Sequence, residues 1–121
     1  AKIARLRFPD SAVPESLRDN FSRMSEVCLA MIRLANQSLK DRDAVAALRM
    51  AEIDHEMDHL RRDHFGVLLG ENWSGSVEQA IDVALLGRYF ERFADHAVAV
   101  ARRVIYIITG QFPEGEEWPN A

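Results

Sequence analysis

Hydrophobic positions recur at steps of three and four residues along most of the chain, which is the spacing that places side chains on one face of an α-helix. The first amphipathic stretch follows Pro14 and runs to about Lys40. Pro14 suits a helix start because the first helical residue needs no N–H donor. Glu15 suits it because the N-terminus of a helix favours negative charge. Its apolar positions are Phe21, Met24, Cys28, Met31, Ala35 and Leu39.

A second helix is predicted over residues 44–69. Asp43 is the expected N-cap, because its carboxylate can accept hydrogen bonds from the first backbone amides. Gly70 is expected to end the helix in the left-handed conformation that glycine adopts without strain. The apolar stripe of this helix is Ala46, Met50, Ile53, Met57, Leu60, His64, Val67 and Leu68.

The third predicted helix is the longest, over residues 77–109. Ser76 and Gln79 match a capping box at its start, and Gly110 is the expected stop. Apolar side chains occupy most of its circumference, so we expect another domain or subunit to cover what two helices of this chain leave exposed. These side chains are Ile81, Leu85, Leu86, Tyr89, Phe90, Phe93, Ala97, Val100, Val104, Ile107 and Ile108.

The sequence contains no alternating strand pattern, and the predicted fold is all-α, an antiparallel bundle of three long helices joined by short turns. Residues 1–8 are interpreted as the end of a preceding helix and a linker. Residues 9–111 form the predicted three-helix domain. Residues 112–121 are rich in proline and glutamate and are predicted to be a flexible tail.

Composition narrows the possible functions. The 121 residues carry a net charge of −4, which opposes nucleic-acid binding. No apolar run is long enough to span a bilayer, so any membrane association would be peripheral. Cys28 is the one cysteine and is interpreted as a reduced core thiol. We expect an interaction or regulatory domain, not an enzyme.

Two pairs of acids are the strongest candidate chemistry. Asp54 and Asp58 lie four residues apart on the second helix, and Glu91 and Asp95 lie four apart on the third. Residues at this spacing share a helix face, and antiparallel packing can bring the two pairs together. Their oxygens suit iron, manganese or magnesium and also accept zinc. The alternative is that each pair is a solvated helix flank balanced by arginines, namely Arg88, Arg102, Arg61 and Arg62.

Two enzyme alternatives also remain open. Residues 55–59 read His-Glu-Met-Asp-His, the pattern in which His55 and His59 bind zinc and Glu56 acts as the base of a metallopeptidase. Both histidines are expected to face water, and a peptidase requires a cleft and a third ligand. A carboxylate-bridged oxidase would use Glu-x-x-His pairs, but His96 lies elsewhere on the helix from Asp95.

Residues 86–97, LGRYFERFADHA, and their continuation over 104–110 resemble the signature of the PhoU family. Residues 52–58, EIDHEMD, are similar to the family's other motif. In both places the family carries a Glu/Asp-x-x-x-Asp pair, which this sequence matches with its two acid pairs. The resemblance covers residues 14–110 and implies one three-helix repeat of a duplicated protein, the C-terminal one.

The resemblance implies a cytoplasmic negative regulator of phosphate uptake and of phosphate-responsive two-component signalling. The implied partners are a phosphate ABC transporter, through its ATPase subunit, and a sensor histidine kinase. The implied cofactor is a multinuclear iron or zinc cluster on the acidic motifs, with Arg88 and His96 as supporting residues. A single repeat is also expected to form a homo-oligomer. A metal-free helical dimerisation module remains the alternative.

Overall fold

A computed structural model of the chain describes residues 1–8 and 10–111, and over them it confirms the predicted antiparallel bundle of three long helices. Helix α1 (Lys2–Arg7) is followed by a 3-10 turn (Glu15–Leu17) and by α2 (Arg18–Asp41), α3 (Ala44–Leu69) and α4 (Val77–Thr109). Each long helix contacts the other two. The described part of the chain contains no strand, and none of its helices is apolar over the length needed to cross a membrane.

The predicted caps explain where α3 and α4 begin and where α4 ends. Asp43 accepts hydrogen bonds from the amides of Val45 and Ala46 at 3.0 and 3.1 Å. Ser76 and Gln79 form the capping box reciprocally, with distances of 2.9 and 3.1 Å. Gly110 ends α4 with a φ of 76°, the left-handed conformation expected there.

Two predicted boundaries are wrong. Gly70 follows α3 in an extended conformation, with φ −74° and ψ 157°, not in a left-handed one. The chain turns there instead through a bond from the Trp73 amide to the Gly70 carbonyl at 3.3 Å. Pro14 precedes the separate 3-10 turn, so it lies outside the first turn of α2.

The apolar stripe of α2 also ends differently from its prediction. Leu39 is 53% exposed, while the neighbouring Ser38 is fully buried. The Ser38 hydroxyl donates a hydrogen bond to the Ala35 carbonyl at 2.9 Å. Because the hydroxyl has this partner, its burial does not leave a polar group without a hydrogen bond. Val67, assigned to the stripe of α3, is 38% exposed because it lies near the open end of the bundle.

The core lies along the common axis of the three long helices. Cys28 is buried there, as predicted. Large side chains from all three helices are fully enclosed, namely Met24, Met31, Met50, Met57, Val83 and Val98. Helix α4 keeps a second, uncovered apolar set, as its pattern predicted, and this set includes Ile81, Leu85, Tyr89 and Phe93.

Residues 1–8, predicted as the end of a preceding helix and a linker, contain α1. Arg7 fixes this helix to the start of α4 through ion pairs with Asp82 and, at 2.8 Å, with Glu78. Asp82 is buried, so its carboxylate needs the positive charge of Arg7 as a partner. The tail prediction for residues 112–121 lies outside the described residues.

Candidate functional site: an acidic seam and an apolar groove

Asp58, Glu91 and Asp95 lie along the line where α3 and α4 meet, and together with Asp54 we call them the acidic seam. Because the helices run antiparallel, Arg61 of α3 lies opposite Glu91 of α4. Asp58 is close enough to Asp95 for its charge to act on that carboxyl. Asp54 lies one turn before Asp58 on α3. The structure therefore brings candidate acids from both helices to one side of the bundle.

Both oxygens of the Glu91 carboxylate contact arginines. Arg88, one turn earlier on α4, approaches Oε1 at 2.6 Å. Arg61 reaches across from α3 and approaches Oε2 at 3.1 Å. Two guanidinium groups on one carboxylate neutralise its charge and hold its orientation. At Glu91 the structure therefore agrees with the alternative interpretation, in which arginines balance the charge of the acids.

Arg61, which the sequence offers only as one of the arginines that balance the acids near Asp58, contacts Glu91 on the other helix instead. Its residue surface is only 8% exposed, and its guanidinium carbon lies 4.6 Å from the centre of the Phe65 ring. A Cβ atom at Gly87 would stand 2.0 Å from Arg61 Nη1, so the missing side chain provides the space for the guanidinium. Within the described chain, Nε and Nη1 have no hydrogen-bond partner. A glycine inside the α4 signature is the sequence signal that marks this space.

His64 lies beneath the seam, one turn after Arg61 on α3. Its side chain is fully buried against the edge of Phe21, with ring centres 5.2 Å apart. Neither ring nitrogen finds a hydrogen-bond partner among the described residues. Burial, reinforced by the positive charge of Arg61, lowers the pKa of His64 to about 4. The imidazole is therefore neutral at physiological pH.

Asp95 lies near two other negative charges of the seam, those of Glu91 and Asp58. Burial raises the pKa of its carboxyl above the usual value, and the negative charges of Glu91 and Asp58 raise it further. Arg88 and His96 act in the opposite direction without cancelling the rise. His96 itself is exposed. The seam thus contains an acid whose ionised form is destabilised by its neighbours.

The predicted iron or zinc site can be compared with these positions. Over residues 1–8 and 10–111, no three His, Cys, Asp or Glu side chains converge closely enough to hold one ion. Glu91, a predicted ligand, directs both oxygens at arginines. As placed, the residues do not fit a metal ion or a cluster, and metal binding stays a prediction.

The His-Glu-x-x-His segment lies on the outer surface of α3. His55 and His59 are exposed, as expected. Glu56, the base in the peptidase interpretation, forms an ion pair with Arg23 of α2. A general base must be free to accept a proton from a bound water molecule, and this carboxylate is already engaged by a guanidinium. The geometry therefore disfavours the peptidase alternative.

A second feature, the apolar groove, lies on the opposite flank of α4 where that helix meets α2. Its volume is about 580 Å³. Ala1, at the start of α1, forms part of its wall together with Ser25. The remaining lining side chains are apolar or aromatic, namely Cys28, Leu29, Ile32, Leu86, Tyr89, Phe90 and Phe93. An open apolar surface of this kind is typical of a helix-binding interface.

Comparison with known proteins identifies the same family that the sequence resembles. The model of the PhoU domain family matches residues 21–104. The phosphate-specific transport system accessory protein PhoU homolog 1 of Mycobacterium leprae (strain TN) is 43% identical over 121 residues, 100% of this chain and 54% of that protein. Homolog 2 of Mycobacterium tuberculosis (strain ATCC 25618 / H37Rv) is 45% identical over 113 residues, covering 93% and 53% of the two chains.

A more distant relative, the PhoU homolog of Zymomonas mobilis subsp. mobilis (strain ATCC 31821 / ZM4 / CP4), is 34% identical over 94 residues, 75% of this chain and 40% of that protein. The chain spans about half the length of the mycobacterial relatives. No solved structure gives a significant match. The family model and the full-length identity together establish that this chain belongs to the PhoU family.

Proposed function

We propose that the chain is a regulatory adaptor that restrains phosphate uptake and phosphate-responsive two-component signalling. The observation that carries this proposal is the 43% identity, over the whole chain, to an accessory protein of phosphate-specific transport. An adaptor needs stable helix faces and no reaction centre. The ion-paired Glu56 and the arginine-bound Glu91 agree with such a role, since neither is arranged as a general base.

The proposed partners are the ATPase subunit of a phosphate ABC transporter and a phosphate-responsive sensor histidine kinase, both reached from the cytoplasm. The net charge of −4 supports protein partners over nucleic acid. The acidic seam is the proposed contact surface, because its half-buried charges give specificity and orientation to an interface. Peripheral contact with the transporter would bring the adaptor to the membrane without a membrane-spanning helix.

Biolayer interferometry with each purified partner, in high and in low phosphate, tests this proposal. We expect binding to at least one partner in high phosphate, and weaker binding after Asp58→Asn combined with Asp95→Asn. A matched control, Glu52→Gln combined with Glu71→Gln, removes the same charge from exposed positions outside the seam. Absence of binding to both partners in either condition would overturn the adaptor proposal.

Binding of iron or zinc by Asp54, Asp58, Glu91 and Asp95 is a separate part of the proposal. Acids from two helices share the seam, but a ligand set requires Glu91 to leave its arginines. Elemental analysis after growth with added iron and zinc tests it, with Asp58→Asn as the ligand variant. The control is His55→Gln with His59→Gln, which removes the exposed histidine pair. Metal lost only in the control would indicate that the histidines bind it. Absence of metal from the parent chain and from both variants would favour a metal-free helical module.

We further propose that the apolar groove is covered by a second copy of this chain. Leu85, one turn before Tyr89 on α4, is exposed beside the groove, so a second copy has a continuous apolar face to cover. A two-fold pair would place the α2 and α4 faces of both copies together. Sedimentation analysis should show a dimer that Tyr89→Glu dissociates and Leu69→Glu, an exposed control on α3, preserves. A monomeric parent chain would contradict this.

A further inference from the structure

The position of Arg61 is built into the fold. Its guanidinium lies over the Phe65 ring and in the space left by Gly87, so it enters the contact between α3 and α4 from the interior. The side chain is 10% exposed, compared with 56% for Arg88 and 35% for Glu91. Its contact with Glu91 is therefore much less open to water than the Arg88 contact.

A buried guanidinium requires a counter-charge, because an unpaired charge is strongly disfavoured away from water. Glu91 supplies that charge through Arg61 Nη2, while Nε and Nη1 have no other partner within the described residues. Arginine side chains carry a permanent positive charge in proteins. The seam therefore contains a permanent positive charge on the inner side of Glu91.

We propose that Arg61 is the resident cation of the acidic seam, held by Gly87 in the position from which it neutralises Glu91, and that it lowers the affinity of the seam for divalent cations. An ion bound by Glu91 would have to approach two guanidinium groups or displace them. The repulsion is largest from Arg61, because charges interact more strongly when water is excluded. This inference deepens the metal-binding part of the proposed function and gives a reason why the acids do not form a ligand set.

Calorimetric titration with Mn²⁺ tests the proposal, because this ion prefers oxygen ligands. All proteins carry His55→Gln and His59→Gln, which removes the exposed histidine pair as a competing site. Arg61→Met retains a long apolar side chain over Phe65 and removes the charge. We expect it to bind Mn²⁺ about tenfold more tightly or better than the parent. The matched control Arg62→Met, at an exposed neighbour, should leave the affinity unchanged.

Gly87→Ala provides a second variant that retains Arg61. Its new Cβ would stand 2.0 Å from Arg61 Nη1 and 2.8 Å from His64 Cε1, so the flexible end of Arg61 must move away and the buried imidazole must shift slightly. We expect this variant also to bind Mn²⁺ more tightly, and circular dichroism verifies that each variant is folded. If Arg61→Met does not fold, Gly87→Ala decides the question.

Three results overturn the proposal. One is unchanged or weaker Mn²⁺ binding by the folded charge variant, which would make Arg61 neutral or supportive toward the ion. Another is an equal gain in Mn²⁺ affinity in Arg62→Met, which would mean that the effect depends only on the net charge of the protein. The third is absence of binding by every variant. Partner binding by the parent chain is measured separately, so failure here is distinguishable from failure of the adaptor proposal.

Discussion

Helix α4 has two flanks of opposite character. Toward α3 it presents Glu91 and Asp95, and Glu91 is paired within the chain by Arg61 at 3.1 Å. Toward α2 it presents Tyr89 and Phe93, which remain 57% and 38% exposed. The Glu91 carboxylate of the acidic seam is held by the chain's own arginines, while the apolar groove has no cover within the described residues. The difference teaches that internal ion pairs stabilise the charged flank, whereas the apolar flank depends on association to bury its side chains.

The largest effect expected to distinguish the two flanks is a loss of stability in acid. It arises from His64, which lies beneath the seam. Its pKa in the folded chain is about 4, below the ordinary 6.5. The unfolded chain therefore binds the extra proton between these values, so stability is complete above pH 6.5 and falls as the pH drops toward 4. We expect a loss of up to about 3 kcal/mol in the free energy of unfolding.

Urea unfolding between pH 4 and pH 7.5 measures this loss. His64→Leu, which retains an apolar side chain of similar size, should flatten the pH profile, because it removes the titrating group. The exposed control His96→Gln should retain the profile of the parent chain. A profile of the same slope in His64→Leu would show that the buried imidazole is not its source.

The second expected effect is an asymmetry between breaking and removing the buried ion pair. Glu91→Ala leaves the Arg61 charge without its partner, and we expect the free energy of unfolding to fall by about 2 kcal/mol. Combining it with Arg61→Met removes both charges, and the double variant should recover most of that loss. Chemical denaturation of the four proteins gives the coupling energy. Additive losses would mean that the two side chains act independently.

Much of this arrangement was predictable from local sequence. Ser76 and Gln79 cap α4 as their spacing predicts, because a cap depends only on residues within one turn. The acid spacing likewise predicted one shared side of the bundle. The approach of Arg61 to Glu91 was not predictable, since it depends on the register between two helices and on the space at Gly87. Gly70 was predicted wrongly because the following loop, not the helix, determines its conformation.

Removing the Asp95 carboxylate is expected to stabilise the chain by a smaller amount. This change tests how far the neighbouring negative charges destabilise the seam. The raised pKa of Asp95 means that the folded chain retains the proton more readily than the unfolded chain, so ionisation of this group reduces stability as the pH rises. Asp95→Asn should increase the free energy of unfolding at pH 7 by less than about 1 kcal/mol, since the site is partly solvated. The gain should vanish in acid, where both proteins are uncharged at this position, and Glu52→Gln should show no such gain at pH 7.

The smallest effect on intrinsic stability is expected in the apolar groove, where Tyr89 already contacts water. At protein concentrations too low for dimers, Tyr89→Glu should change the free energy of unfolding by less than about 0.5 kcal/mol, because a side chain exposed before and after the change loses little burial. At high concentration the parent should become more stable and the variant should not, since only association with a second copy adds stability. Thermal unfolding across a hundredfold concentration range, with Leu69→Glu as control, measures both parts. A large loss at low concentration would mean that the groove contributes to the folding of the single chain, and the contrast between the two flanks of α4 would then fail.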